Sequence, residues 1–424
     1  MLKISTGAVA GETWYRVRVG RYATEKEAAD AASRLAERMP RCDAPMLYPR
    51  GHSAAFILAV LQGWRDNAVV CPLEPAQEAP SVQLPPAPCC HLKITSATTG
   101  QPRLVAFRAD QLAADAANIV STMGLRPDWP NLGVISLAHS YGFSNLVMPL
   151  LLHGMPLILA PSPLPEAVRR AAAGEPALTL AAVPALWRAW QEAGAIPPQI
   201  HLAISAGAPL PVALEQAVLT SGGLKIHNFY GSSECGGIAW DAAGEARVDD
   251  DCVGAPLRNV QVALKENSCV QVTSGAVGET YWPDPDDCLG GGRFQTGDLA
   301  ELKDGLLYLR GRLSDQINVA GRKASPGTIE AALREHEAVN ECLVFSVPSD
   351  DAHRTDLIVA CVAVVAPVPA EALRQSLLSK LPAWQVPREW WFVESLGTNA
   401  RGKVSRAQWR RKFLERRGSR RTVV

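Results

Sequence analysis

The sequence predicts an α/β protein: a large N-terminal domain with doubly wound mixed sheets and a β subdomain, followed by a small α+β C-terminal domain. Three observations carry that expectation. The chain has 424 residues, too many for one ordinary core, so two or more domains are expected. Between Leu92 and about Asn228, short apolar runs alternate with segments of helical composition, the pattern of a parallel sheet covered on both faces. Beyond Val248 the runs shorten and alternate, as in VQVALKENSCVQV and GLLYLRGR, which suggests antiparallel strands. From Ser314 onward helices and strands mix in a smaller unit, so the domains are drawn at residues 1–313 and 314–424.

The elements follow in order. Residues 1 to about 90 form a helix-containing lead with helical composition over Ala23 to Arg38, and the proline-rich stretch Pro72 to Pro88 is an extended connection. Strands are expected at Val134–Leu137, Pro156–Leu159, Thr179–Val183, His201–Ser205 and Leu224–Asn228, with helices at Leu146–Leu152, Ala185–Glu192 and Val212–Thr220. In the C-terminal unit the order is helix (Thr328–Glu335), strand (Cys342–Val347), strand (Leu357–Val365), helix (Glu371–Leu381) and strand (Trp390–Glu394). The arginine-dense tail after Arg406 is a solvated helix face and a frayed end.

Composition removes several function classes. Hydrophobic residues make up 47% and charged residues 20%, which is globular rather than disordered. Lys+Arg and Asp+Glu both total 42, so no general affinity for nucleic acid or an anionic membrane is expected. The ten cysteines show no CxxC spacing, which argues against zinc or a disulfide framework and for reduced thiols. There is no secretory pattern at the start, and the apolar run AAFILAVL around Phe56 is too short to span a bilayer. A cytoplasmic location is the expectation.

Four segments carry chemistry. TSATTGQPR, Thr95 to Arg103, places four hydroxyls, a glycine and a cation after a short apolar strand; hydroxyls and successive backbone N–H groups can wrap phosphate oxygens. It lacks the GKS/T ending of a Walker loop, and an ordinary Ser/Thr-rich turn is the alternative. NFYGSSE, Asn228 to Glu234, offers an amide for an adenine edge, a tyrosine face for stacking, a glycine for close backbone approach and a carboxylate suited to Mg²⁺; the alternative is a loop with a helix-capping serine. In QTGDL, Asp298 can bind a ribose diol, with Arg312 of GRLSDQINVAGRK as a further donor; Gly-Asp is also common in plain turns. NARGKVSR holds Lys403 behind a glycine near the chain end, where a surface lysine is the alternative. SAGAPLP from Ser205 and NFYGSSE stand at expected carboxyl ends of strands, where open α/β sheets bind ligands.

In their joint order these segments resemble the acyl-CoA synthetase, adenylation-domain and luciferase superfamily of adenylate-forming enzymes. The matched series is the loop at Thr95, HSYGF at His139, SAGAPLP at Ser205, NFYGSSE at Asn228, TGDL at Thr296, GRLSDQINVAGRK at Gly311, LPAWQVP at Leu381 and GKVSR at Gly402. The resemblance covers about residues 92 to 406 and implies roles. Thr95, Ser96, Thr98, Thr99, Gly100 and Arg103 hold the β- and γ-phosphates. Gly207, Ala208 and Pro209 sandwich adenine with Tyr230, Asn228 reads its amino edge, and Gly231 allows the close approach. Ser233 and Glu234 meet the α-phosphate and Mg²⁺, Asp298 and Arg312 bind ribose, and His139, counted with the catalytic residues, borders the acyl pocket and the magnesium site. Gly321 flanks the thiol tunnel, and Lys403, on a mobile C-terminal lid, is catalytic. The implied cofactors are ATP, Mg²⁺ and CoA, or the phosphopantetheine of a carrier protein.

Several positions depart from that pattern. Ala97 stands where the family has glycine, and at positive φ a Cβ costs about 1–2 kcal/mol. Arg103 replaces lysine, keeping charge but not geometry. Ser314 occupies the hinge position, and the segments before Thr95 and between Glu234 and Thr296 are short. The leading expectation is an acyl- or aryl-CoA ligase; the runner-up is a stand-alone adenylation enzyme loading a carrier-protein thiol. A nucleotide-binding relative without catalysis is opposed by the retention of Glu234, Asp298, Arg312 and Lys403. No charged residue in HSYGF or SAGAP calls for an amino-acid ammonium, which favours a plain acyl or aryl acid.

Overall fold

Five short apolar runs of the chain's centre assemble into the parallel half of the main sheet. In a computed structural model, residues 2–9, 12–19, 44–95, 102–319, 322–348, 356–397 and 405–421 are described. The strand Asn131–Gly133 lies between Leu157–Leu159 and Leu178–Ala182, parallel to both, and Ile200–Ser205 and Ile226–Ser232 extend the ladder in the same sense. The first four of these strands are buried almost throughout, as expected for a sheet covered on both faces. Helices Pro165–Ala172, Pro184–Glu192 and Val212–Gly222 make the crossovers, and Trp187 and Trp190, both fully buried, fill the space beside them.

The β subdomain is not a separate sheet. Ile226–Ser232 pairs antiparallel with Gly236–Trp240, and the ladder runs on through Cys252–Pro256, Leu306–Arg312, Arg293–Lys303, Cys269–Ser274 and Val260–Leu264. The expected strand Leu224–Asn228 therefore continues to Ser232, because its second half finds a hairpin partner. The expected strand Val134–Leu137 is a correction: the strand is Asn131–Gly133, and Val134, Ile135 and Leu137 are buried in irregular chain beyond its end. An apolar run reports burial, not the ladder. At the far edge, the hairpin Leu2–Val9 and Glu12–Val19 adds to Leu157–Leu159; it was not expected, and the helical reading of Ala23 to Arg38 lies outside the described residues.

A second sheet of Thr280–Trp282, Leu104–Phe107, His91–Ile94, Val69–Val70 and Met46–Leu47 packs nearby. The helix Ala109–Met123 covers the core with Leu112, Ala116, Ile119 and Met123, one stripe at helical spacing. It starts where Gln111 Oε1 accepts from the Arg108 amide at 2.9 Å and ends at Gly124, φ 66°, the left-handed cap glycine tolerates.

The C-terminal unit has its own core. The strands Val339–Pro348 and Asp356–Val364 pair antiparallel, and Glu389–Val393 joins parallel. Because side chains alternate along a strand, Val344, Ile358, Ala360 and Val362 face helices Pro326–Arg334 and Ala370–Leu378. Leu343, Phe345, Val347, Val359 and Cys361 face Trp409 and Phe413 of the helix Arg406–Arg421. That helix presents Arg410, Arg411, Lys412 and Arg416 outward, as expected for a solvated face. No helix among the described residues is long and apolar enough to cross a membrane.

Candidate active site

The site forms where the parallel strands end. Ile200–Ser205 delivers the chain to Gly207, whose φ of 86° favours glycine, and then to Ala208 and Pro209. The Ser205 hydroxyl is buried without a hydrogen-bond partner among the described residues. Ser205 sits in register with Asn228 on the neighbouring strand. Three residues further, Gly231 passes so close to Gly236 that a Cβ would lie 2.7 Å from its carbonyl oxygen.

A carboxylate is held by a guanidinium across one hairpin and by a phenol from a separate strand. The hairpin of Arg293–Lys303 and Leu306–Arg312 sets Asp298 opposite Arg312, and Arg312 Nε donates to Asp298 Oδ1 at 2.8 Å. The Tyr230 phenol donates to Oδ2 at 2.6 Å. Burial pushes that phenol well above its usual range, and the Asp298 charge adds to the shift. Asn228 is buried, and its amide nitrogen donates to the Cys252 carbonyl at 3.0 Å.

The ends of the Thr95–Arg103 loop are pinned together. Thr95 N donates to the Arg103 carbonyl at 2.8 Å, and Arg103 N donates to Thr95 Oγ1 at 2.9 Å. Ser96, Ala97, Thr98, Thr99 and Gly100, between these ends, lie outside the described residues, as do Gly321 and Lys403. The Arg103 guanidinium lies 3.4 Å from the Tyr281 ring centroid, donates to Asp286 at 3.0 Å and to the Asp284 carbonyl at 3.2 Å. The Tyr281 phenol in turn donates to Glu234 Oε1 at 3.0 Å; burial and then the Glu234 charge push it upward. Ser140 Oγ donates to Ser233 Oγ at 2.9 Å, and His139 Nδ1 accepts from Tyr141 N at 3.3 Å. His139 thus caps the helical stretch that opens with Ser140–Gly142 and runs on through Phe143–Val147 and Met148–His153, beside the Glu234 segment.

Beneath Glu234 lies a buried pair that the sequence did not single out. Lys93 and Asp115 stand 3.7 Å apart at 3% side-chain exposure each. Lys93 donates to Ser144 Oγ at 3.2 Å, Ser144 donates to Asp115 Oδ2 at 2.6 Å, and Asp115 Oδ1 accepts from Gly237 N at 3.0 Å. Burial lowers the Lys93 pKa, opposed by Asp115. The network ties the strand before Thr95, the helix Ala109–Met123 and the turn after Glu234 into one support. A lysine inside the apolar strand HLKI was the available signal; Tyr281 gave none, lying in a segment with no motif.

Residues 21–285 match the model of the AMP-binding enzyme family, and residues 328–403 match that of the AMP-binding enzyme C-terminal domain. The chain belongs to the AMP-binding enzyme family. Among its relatives, the feruloyl-CoA synthase of an Amycolatopsis species is 27% identical over 346 residues, covering 76% of this chain and 70% of the relative. The ATP-bound MatB from Rhodopseudomonas palustris superposes with a TM-score of 0.78 at 18% identity, over 91% of this chain and 92% of that one. The o-succinylbenzoate CoA synthetase MenE from Bacillus subtilis, in complex with its acyl-adenylate intermediate, gives 0.76 at 20% identity, over 92% and 93%. At such identities the two structures show a shared fold. Within this AMP-binding family frame, the large sheet domain and the small C-terminal domain are the expected pair.

Proposed function

We propose that this protein is an AMP-forming acid–thiol ligase, which activates a carboxylic acid with ATP as an acyl-AMP and passes the acyl group to CoA. The observation that carries the reading is the meeting of Tyr230, Asp298 and Arg312, with Asn228 two residues before Tyr230 and Glu234 four residues after it along the same segment. These are the group types needed for a base, a ribose and a metal-bound phosphate.

A carboxylate is a poor acyl donor because oxide leaves badly, and attack on the α-phosphate exchanges it for AMP. Asp298, held by Tyr230 and Arg312, binds the ribose. Gly207, Ala208, Pro209 and Asn228 border the base. His139 and Ser233 border the carboxylate as it approaches the α-phosphate, and the Thr95–Arg103 loop receives the outer phosphates. The described residues hold no cluster of three or more His, Cys, Asp or Glu fit for a metal; one carboxylate, Glu234, fits an ion such as Mg²⁺ that takes its other ligands from phosphates and water. When bound, that ion neutralises charge on the phosphate oxygens. Lys403 comes from the small domain, which we place after residue 313, and offsets the remaining repulsion between two anions. Rotation of that domain then admits the thiol. A plain acyl or aryl acid and a cytoplasmic location complete the reading, the latter supported by free cysteines such as Cys89 and Cys90.

The test is a panel of acyl and aryl acids with ATP and Mg²⁺, read as pyrophosphate release, followed by CoA and read as AMP and a soluble thioester. Acid-dependent pyrophosphate release and a CoA thioester are the expected result. Release without a CoA thioester transfers the second step to a carrier-protein thiol; no release with any acid overturns the reading.

A further inference from the structure

A four-charge network lies buried behind the strand that carries Asn228. Glu215, fully buried in the first turn of the helix Val212–Gly222, accepts from Arg247 Nε on Oε2 at 2.8 Å and from the Arg247 amide on Oε1 at 2.8 Å. Lys225 donates to Glu215 Oε1 and, at 2.7 Å, to Asp241 Oδ2. Two cations and two carboxylates balance. Such a network is weak evidence for stability, since apolar residues of similar size often serve as well.

The ends of the arginine show what else it does. Arg247 Nη2 donates to the Leu210 carbonyl at 2.6 Å, directly after Gly207, Ala208 and Pro209. Arg247 Nη1 donates to the Cys252 carbonyl at 2.7 Å and to that of Asp250 at 3.2 Å. The Cys252 carbonyl is the same oxygen that receives the Asn228 amide nitrogen at 3.0 Å. One buried guanidinium therefore grips both walls of the proposed adenine site.

We infer that Arg247 is a positioning residue that sets nucleobase selectivity: it fixes the Cys252 carbonyl, and through it the orientation of the Asn228 amide. The inference rests on the proposed nucleotide site. A carbonyl can only accept, so Asn228 must turn its nitrogen inward, leaving Oδ1 as its acceptor for the base. An exocyclic amine at the purine 6-position satisfies that oxygen. A 6-oxo purine sets acceptor against acceptor, and a site built around a hydrogen bond rejects the analogue that lacks it. Lysine cannot replace the grip, because a single ammonium cannot span Leu210, Cys252 and Glu215 as a planar fork does.

The experiment compares ATP with ITP, which carries the 6-oxo group, in the wild type, Arg247→Lys, Asn228→Ala and the double variant. Affinities come from titration calorimetry without acid, and kcat and KM from pyrophosphate release. In Arg247→Lys the preference for ATP over ITP is expected to fall about tenfold, a loss near 1.4 kcal/mol, through affinity and KM with kcat changed less. In the Asn228→Ala background Arg247→Lys is expected to add no further loss of preference. An unchanged ATP/ITP ratio in Arg247→Lys overturns the inference, as does an equal drop in both backgrounds. If Arg247→Lys does not fold, Glu215→Gln, which keeps the arginine but neutralises its anchor, is expected to shift the ratio in the same direction, and an unchanged ratio there also overturns it. A wild type that binds neither nucleotide sinks the proposed function itself, a result distinct from normal ATP binding with an unmoved ratio.

Discussion

The Tyr281 phenol donates to Glu234 Oε1 at 3.0 Å while the Arg103 guanidinium lies 3.4 Å from the centre of the same ring. One aromatic side chain thus joins the end of the Thr95–Arg103 loop to the carboxylate proposed to carry the metal. The bond occupies Oε1, so Tyr281 orients the carboxylate rather than competing with a cation for both oxygens.

Glu234→Gln is expected to cut acyl-AMP formation by about 10²-fold or more while leaving the fold intact. Tyr281→Phe keeps the ring under Arg103 and removes only the hydrogen bond, so its loss should be smaller, about tenfold or less, and concentrated in the Mg²⁺ concentration needed for half-maximal rate. Near-normal activity in Glu234→Gln would remove the metal assignment.

Lys403→Ala is expected to lose acyl-AMP formation by about 10²-fold or more and still transfer the acyl group when given ready-made acyl-AMP. Ser314 lies in the 3₁₀ turn Leu313–Asp315, whose typical φ suits proline. Ser314→Pro should therefore keep the observed turn, restrict its rotation and impair transfer more than adenylation. Measuring the two half-reactions separately decides both, and equal loss in each would argue against domain alternation.

Gly236 has φ 70°, and a Cβ there would fall inside the carboxylate of Asp115. Asp115 is held by Lys93, Ser144 and Gly237 and cannot step aside cheaply. Gly236→Ala is expected to destabilise by about 2–5 kcal/mol, from left-handed strain plus overpacking, read as a lowered denaturant midpoint. A shift below about 0.5 kcal/mol, the ordinary surface range, would show that the turn relaxes.

His91 is fully buried, its ring centroid 4.5 Å from that of Phe143 and 6.0 Å from that of Trp64, and neither ring nitrogen has a partner among the described residues. Burial, and then the Lys93 charge, hold its pKa well below the usual histidine value. The native imidazole stays neutral while the unfolded one takes a proton near pH 6.5. Below that pH the unfolded state binds one proton more, so stability falls with falling pH by up to about 1.4 kcal/mol per unit. His91→Phe should flatten the stability profile between about pH 6 and 5 by that slope, measured by urea melts; an unchanged slope would mean that His91 is protonated in the native state.

Much of this arrangement was readable from residues alone, for stated reasons. The C-terminal strands and helices lie within a few residues of their expected places, because hydrophobic period and turn residues agree there. Asp298 and Arg312 meet because a hairpin folds their segments together, a local consequence of alternating strands. Contacts built by long-range packing left no local mark. Tyr281 reaches Glu234 from another sheet, and Arg247 reaches Leu210 and Cys252 from a loop whose sequence looks like ordinary solvated chain. Arg103, read from its place in the loop alone, also stacks on a ring 178 positions further along.

The described apolar interior falls into four clusters that share no residue: two lie within residues 54–307, the first body, and two within residues 317–413, the second. Heat should therefore be absorbed in two steps, and a calorimetric trace should resolve two peaks in place of a single melting point. Nucleotide held by Asp298 and Tyr230 in the first body should displace one of those peaks alone, by mass action on the folded form. Unfolding of the second body would then silence the protein while the first still binds its ligand.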